Sequence, residues 1–279
     1  MDNSKIQFGL NYVETGSFLH RLSGVTKFIL FIYWITLILM TFDLRITAGL
    51  ILLGFILLKL SRVPFRLYRP FVFFMLYLVI VNSLFMFLFA PMQGEVYMGS
   101  RTELLVITER YTVTLETLFY LVVIASKYFS IFPMALLFVF TTHPTEFAAS
   151  LSKIGVPYKV AYAVSLTLRY LPEITKDFLN IMHSQQARGV DITKNVPFRQ
   201  RIRNVIRVLI PLILSSLDKA EVISNAMDLR GFGKMNKRTW YNLRPFRRGD
   251  AVVFSLMILL LGVYLAMKIR LETMFWYPF

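Results

Sequence analysis

Two patterns of apolar positions alternate along this chain. In the first, apolar residues run in long blocks: 28–42, 46–58, 71–89, 112–140 and 251–267. The polar Asp43-Leu44-Arg45 separates the first two, and Lys127 and Pro133 interrupt the fourth. Blocks of this kind have lipid as their natural solvent. In hydrocarbon only helices and closed barrels satisfy their own backbone groups. The two-residue alternation of a barrel strand is missing, so the blocks are expected to be transmembrane helices. The first two are shorter than the ~20 residues of a perpendicular span. They fit a hairpin of short spans if Lys27 and Lys59 snorkel to the interface. The expectation is five spans, with residues 90–111 as a polar loop.

The second pattern occupies residues 141–250. Here Ala161, Val164, Leu168, Leu171, Ile174, Phe178 and Ile181 fall at steps of three and four. So do Ile202, Ile206, Leu209, Ile213, Leu217, Ala220, Ile223 and Met227. Each series predicts an amphipathic helix of roughly 25–30 residues, about 40 Å long at 1.5 Å per residue. Pro172 and Pro211 are expected to kink them. Helices apolar on one side need a partner surface: lipid headgroups, each other, or another protein.

Composition agrees and charge adds direction. Of 279 residues 56% are hydrophobic, 26 of them Phe, and the mean hydropathy is +0.59. The net charge is +15. Residues 141–250 hold 18 Lys+Arg against eight Asp+Glu, a net of +10, so two thirds of the excess sits in two fifths of the length. The 59–69 loop adds Lys59, Arg62, Arg66 and Arg69 without an acid, whereas 90–111 sets Arg101 and Arg110 against Glu95, Glu103 and Glu109. Lys/Arg-rich loops stay cytoplasmic. The expected organisation is therefore an all-α polytopic membrane protein: a cytoplasmic N-terminal segment 1–27, a membrane domain 28–140, a cytoplasmic helical domain 141–250, and a last span with its tail at 251–279. Trp276 and Tyr277 suit an interfacial belt. No cleavable leader is visible in the polar residues 1–21.

Little in the chain points to catalysis. With no cysteine there is no thiolate nucleophile or zinc-thiolate site, and His20, His143 and His183 are scattered. No metal site or cofactor is expected, and no glycine-rich phosphate loop offers to bind ATP. Arg199, Arg201, Arg203 and Arg207 lack the interleaved aromatics of a single-strand binder. They fit anionic lipid and the positive-inside bias, not nucleic acid. Lys127, flanked by Ser126 and Ser130, is a candidate for a substrate or ion role, or else snorkels or pairs across the bundle. Asp43 and Arg45 read as a turn.

Each amphipathic series ends on an Arg-Gly pair: Gln186-Ala187-Arg188-Gly189 and Asp228-Leu229-Arg230-Gly231, with arginines 42 residues apart. Gly just past a periodic run is a helix C-cap, and Arg in the last turn complements the helix dipole. Capping alone accounts for either pair singly. Two such pairs, closing two matched helices, also offer planar five-donor forks to another protein.

With these motifs the chain resembles the T component of energy-coupling factor (ECF) vitamin and metal-ion importers over nearly its full length. Ser17-Phe18-Leu19-His20-Arg21-Leu22 with Lys27 is similar to that family's N-terminal signature. Thr141-Thr142 with Pro144 and Glu146, then Leu168-Arg169-Tyr170-Leu171-Pro172-Glu173, resemble the stretch before its first coupling motif. Ala187-Arg188-Gly189 matches the first Ala-Arg-Gly motif and Leu229-Arg230-Gly231 the second, with Leu229 where Ala is more usual. The resemblance implies a non-catalytic subunit whose two arginines dock on two ABC-type ATPase subunits. It also implies a small integral membrane S component that captures a vitamin or metal ion and packs against this subunit, ATP-driven shifts of the coupling helices toppling it to release its cargo. A self-sufficient secondary transporter is the rival reading, but it predicts broken helices around a polar midplane site, and the spans show little polarity beyond Lys127. A lipid-modifying membrane enzyme would need an interfacial cluster of acids or His.

Overall fold

A computed structural model describes residues 16–108, 111–190, 196–235, 239–240 and 244–271. Glu109, Arg110, Trp276 and Tyr277, which entered the topology argument above, lie outside the described residues. The elements run, in order, α1 (Phe18–Arg21), α2 (Gly24–Met40), α3 (Leu44–Leu60), α4 (Phe65–Phe89), α5 (Gln93–Met98), β1 (Glu103–Thr108), β2 (Tyr111–Thr114), α6 (Leu115–Thr141), α7 (Pro144–Lys153), α8 (Tyr158–Ala187), α9 (Phe198–Leu229) and α10 (Arg248–Leu271). Helices α4, α6 and α10 are long and apolar enough to cross a membrane. The apolar helices α2 and α3 each have 17 residues. The protein is an all-α membrane protein.

Two compact units result. One comprises the described residues up to His143 and from Arg244 onward; the other runs from Pro144 to Trp240.

In the first unit α6 is the central helix, packed by α2, α3, α4 and α5. The backbone dictates one of these approaches. A Cβ on Gly54 of α3 would lie 2.9 Å from Pro133 Cγ of α6 and 3.5 Å from Trp34, so only glycine lets α3 come this close. The Trp34 indole, fully buried, donates to the Ser130 carbonyl at 3.1 Å. Asp43 caps α3 by accepting from the Arg45 amide at 2.9 Å and pairs with the Arg45 guanidinium at 3.2 Å. The turn expected at these residues is thus a helix N-cap.

The 90–111 loop needs correcting. It carries the helix α5 and most of an antiparallel hairpin, with Glu103 opposite Thr114 and Thr108 opposite Tyr111. The buried Glu116 carboxylate accepts from the amide and hydroxyl of Thr102 at 3.0 and 2.9 Å and ties the hairpin to the start of α6. Strand β2 claims Thr112–Thr114, so the fourth apolar block begins as strand and not as helix.

Lys27 does not snorkel. It is buried and donates to the Thr141 carbonyl at 2.8 Å and the His20 carbonyl at 3.3 Å. Lys59, by contrast, is exposed. The fully buried Asp250 accepts from the Ser23 and Arg247 amides at 2.8 and 2.7 Å, so the first turn of α10 caps that of α2.

Candidate functional site: two arginine-tipped helices

The second unit is built around α8, of 30 residues, and α9, of 32, about 45–48 Å each at 1.5 Å per residue. Both begin on an extended proline, Pro157 and Pro197, whose fixed φ and missing donor suit a helix start. Both contain an internal proline, Pro172 and Pro211, and the helical assignment runs unbroken through each.

Their C-termini close with one geometry. After α8, Arg188 is the C-cap residue and Gly189 takes φ +82°; the Gly189 amide donates to Gln186 at 2.9 Å and the Val190 amide to Gln185 at 3.0 Å. After α9, Arg230 is the C-cap residue and Gly231 takes φ +69°; the Gly231 amide donates to Asp228 at 2.9 Å and the Phe232 amide to Met227 at 3.0 Å. Each set is a Schellman motif, with glycine at the left-handed position that a side chain would strain. The residue after the glycine anchors each cap. Val190 is buried, and Phe232 packs on Tyr162 and Tyr158 with ring centroids 4.8 and 5.7 Å apart.

These caps present the arginines outward. Ala187, Arg188, Gly189 and Arg230 are exposed, Gly231 is half-buried, and Leu229 is 91% exposed. Neither guanidinium forms an ion pair or hydrogen bond with the described residues.

The contacts between the helices set the spacing of the tips. Lys219 of α9 donates to Asp177 at 2.6 Å and Glu173 at 3.0 Å, one turn apart on α8. Phe232, just past the end of α9, meets the first turns of α8. The two helices are therefore antiparallel, and the Arg230 tip sits near the start of α8 while Arg188 sits at its end. From Tyr162 to Arg188 is 26 residues, about 39 Å along a straight helix. The arginines thus lie at opposite ends of one structure, too far apart for a single small ligand.

Between α8 and α9 lies an apolar groove of about 490 Å³, lined by Tyr170, Ile174, Ile223, Met227 and Phe232 among others. The Asp177 and Glu173 hydrogen bonds hold the Lys219 ammonium above its ordinary lysine pKa. Much of the apolar stripe of α9 stays uncovered: Ile206, Ile210, Ile213, Leu214 and Leu217 are all exposed. Arg199, Arg203 and Arg207 are exposed near its start and Arg201 is half-buried.

Lys127 is a separate case. Its ammonium lies 3.5 Å from the centroid of the Phe42 ring, and the side chain is buried in α6. Among the described residues, no group of three or more His, Asp or Glu is placed to hold a metal ion. Sequence reasoning missed the buried polar contacts of Lys27 and Asp250, because their partners lie far along the chain.

The fold and the site define an all-α membrane protein that carries a pair of amphipathic helices with exposed arginine tips. Comparison with known proteins gives the class its family. Residues 15–241 match the CbiQ family, described as cobalt transport protein, and the chain belongs to it. It is 29% identical over 268 residues to the energy-coupling factor transporter transmembrane protein EcfT of Exiguobacterium sibiricum, covering 91% of this chain and 97% of the relative. The proteins of that name from Leuconostoc gelidum subsp. gasicomitatum and Bacillus subtilis are each 26% identical over 265 residues. They cover 92% and 89% of this chain and 95% and 93% of the relative. The chain is a transmembrane T component of an energy-coupling factor transporter.

Proposed function

We propose that this subunit is non-catalytic and transmits ATP-driven motion from two ABC-type ATPase subunits to a small membrane-embedded S component that captures a micronutrient, a vitamin or metal ion. Residues 141–250 would face the cytoplasm. Arg188 and Arg230, each framed by its neighbours Ala187 and Gly189 or Leu229 and Gly231, would insert into one ATPase apiece. The observation that carries this reading is the duplicated cap: two helices with the same closing geometry, each aiming an unpaired guanidinium outward, about 39 Å apart along α8. That span suits two subunits. The helix dipole favours a cation at each tip, and a planar fork donates to several carbonyls or carboxylates at once. The uncovered stripe of α9 would meet the S component.

The test is co-purification of the complex and substrate uptake with the Arg188→Ala/Arg230→Ala double variant. The expected result is normal membrane insertion with loss of the ATPases or of uptake; losing one desolvated charged contact typically costs ~2–5 kcal/mol. A double variant that retains both active ATPases and transport would overturn the assignment.

A further inference from the structure

The membrane unit contains a second large feature, distinct from the arginine tips. A crevice of about 1150 Å³ opens between α1, α2, α3 and α10, larger than most small-molecule pockets. Its walls are apolar over most of their area, and Trp34 of α2, Ile56 of α3 and Leu256 of α10 all contribute to them. Helices α3 and α10 flank the cleft without packing closely on each other. The α10 wall extends from Val252 to Leu260, about 12 Å at 1.5 Å per residue. That depth approaches one leaflet's half of a hydrocarbon core about 30 Å thick.

One end of the crevice is different. It is lined by Arg21, just before α2, and by Lys59 and Arg62, at and just after the end of α3. All three are exposed, none of their side-chain cations has an ion pair or hydrogen bond among the described residues, and no carboxylate among the described residues lines the cleft. Arg62 also adopts φ +58°, a left-handed conformation that glycine or asparagine holds more easily. This is the left-handed residue that follows the C-cap of α3, and it sets the Arg62 side chain at the edge of the cleft.

Cations at the mouth and a leaflet-deep apolar cleft behind them match one kind of ligand. We propose that this crevice binds a diacyl phospholipid with an anionic headgroup, its phosphate held by Arg21, Lys59 and Arg62 and an acyl chain lying between α3 and α10 against Trp34. Basic pockets between transmembrane helices recognise anionic lipids in this way, gaining about fivefold in affinity per cation near the surface. The lipid would fill the gap between two helices that do not otherwise pack. The inference needs only the bilayer location of this unit and is independent of the docking roles given to Arg188 and Arg230.

Trp34 provides the probe. The full chain carrying Trp240→Phe and Trp276→Phe, with Trp34 as its one remaining tryptophan, is reconstituted in phosphatidylcholine nanodiscs. Brominated phosphatidylglycerol or brominated phosphatidylcholine is then titrated in. The expected result is quenching at a much lower mole fraction of the anionic lipid, with the preference reduced on the order of a hundredfold in Arg21→Gln/Lys59→Gln/Arg62→Gln. The charge-conserving Arg21→Lys/Arg62→Lys variant should keep it, which separates lost recognition from lost folding. Native mass spectrometry of the delipidated wild-type chain should show retained phosphatidylglycerol. Equal quenching by both lipids, or none by either because protein fills the cleft, would overturn the proposal.

Discussion

The Lys27 ammonium donates to the Thr141 carbonyl at 2.8 Å, joining the first turn of α2 to the last residue of α6 across 114 positions of sequence. The end of a helix leaves its last carbonyls without intrahelical partners and carries the negative pole of its dipole. A buried cation there satisfies both. The same ammonium reaches the His20 carbonyl, which also accepts from the Arg244 guanidinium. One lysine therefore ties α1, α2 and the exit of α6 together.

Replacing it should be costly. Lys27→Met removes two charge-assisted hydrogen bonds and takes the buried cation from the Thr141 carbonyl, while the His20 carbonyl keeps its Arg244 donor, a loss of about 2–3 kcal/mol. Unfolding of the purified protein in detergent, followed by circular dichroism, should show the midpoint falling for Lys27→Met and falling less for Lys27→Arg. A Met variant as stable as the parent would show that Lys27 carries no such weight.

The caps of α8 and α9 separate structure from docking. At Gly189 a Cβ would meet nothing within 4 Å, and at Gly231 only the Lys234 side chain at 3.5 Å, so space is not the constraint. Positive φ is. Gly189→Ala and Gly231→Ala should each destabilise their cap by about 1 kcal/mol. Hydrogen exchange at the Val190 and Phe232 amides, which close the two caps, should speed up accordingly. Arg188→Ala and Arg230→Ala change exposed side chains and should leave those rates and the overall stability within about 0.5 kcal/mol. If the arginine variants loosened the caps as much as the glycine variants, any docking defect would have to be read as a folding defect.

How far the sequence discloses this arrangement depends on the range of the interaction. The steps of three and four in the second unit locate α8 and α9 because helical periodicity is local, and Arg-Gly after each run marks the cap for the same reason. The antiparallel pairing of the two helices is not local. It rests on Lys219 meeting Glu173 and Asp177, 46 and 42 positions away. The hairpin at Glu103–Thr108 and Tyr111–Thr114 hid in a stretch whose charges and glycines read as loop, and its tie to Glu116 crosses 14 positions. Lys27 and Lys59 look alike as basic residues flanking apolar runs, yet tertiary packing buries one and exposes the other. Helix α7 escaped notice because ten residues beginning at Pro144 give the periodic signal too little length.

The Lys219 contacts make the α8–α9 pairing sensitive to alkali. Its pKa is raised by the Asp177 and Glu173 hydrogen bonds above the ordinary 10.5. A raised folded-state pKa means the stabilisation is fully present below the unfolded value. It is lost as pH climbs through the folded one. Thermal unfolding between pH 9 and 12 should therefore show a downward drift in the wild-type midpoint above about pH 10.5 that Lys219→Met lacks. High salt should weaken the same contact at neutral pH, since all three groups are partly exposed. Parallel pH curves for the two proteins would exclude the mechanism.

Lys127 is a buried basic residue in the middle of α6, and its setting argues for a structural role. The ammonium sits 3.5 Å over the Phe42 ring; that ring stacks on Tyr97 at 6.4 Å, and Tyr97 on Tyr120 at 5.5 Å. Ser126, beside it, is already committed to the Val123 carbonyl at 2.7 Å. An ammonium held by an aromatic face in a desolvated site gains about 2 kcal/mol, whereas an exposed one gains about 0.5–1 kcal/mol. A double-mutant cycle with Phe42→Leu and Lys127→Met should then give a coupling energy of about 1–2 kcal/mol in detergent unfolding, with uptake by the assembled transporter reduced only in proportion to lost stability. The contrary outcome is equally clear. If Lys127→Met abolished uptake while the unfolding midpoint and the coupling to Phe42 stayed unchanged, the lysine would belong to a transport step and not to the packing of α6 against the start of α3.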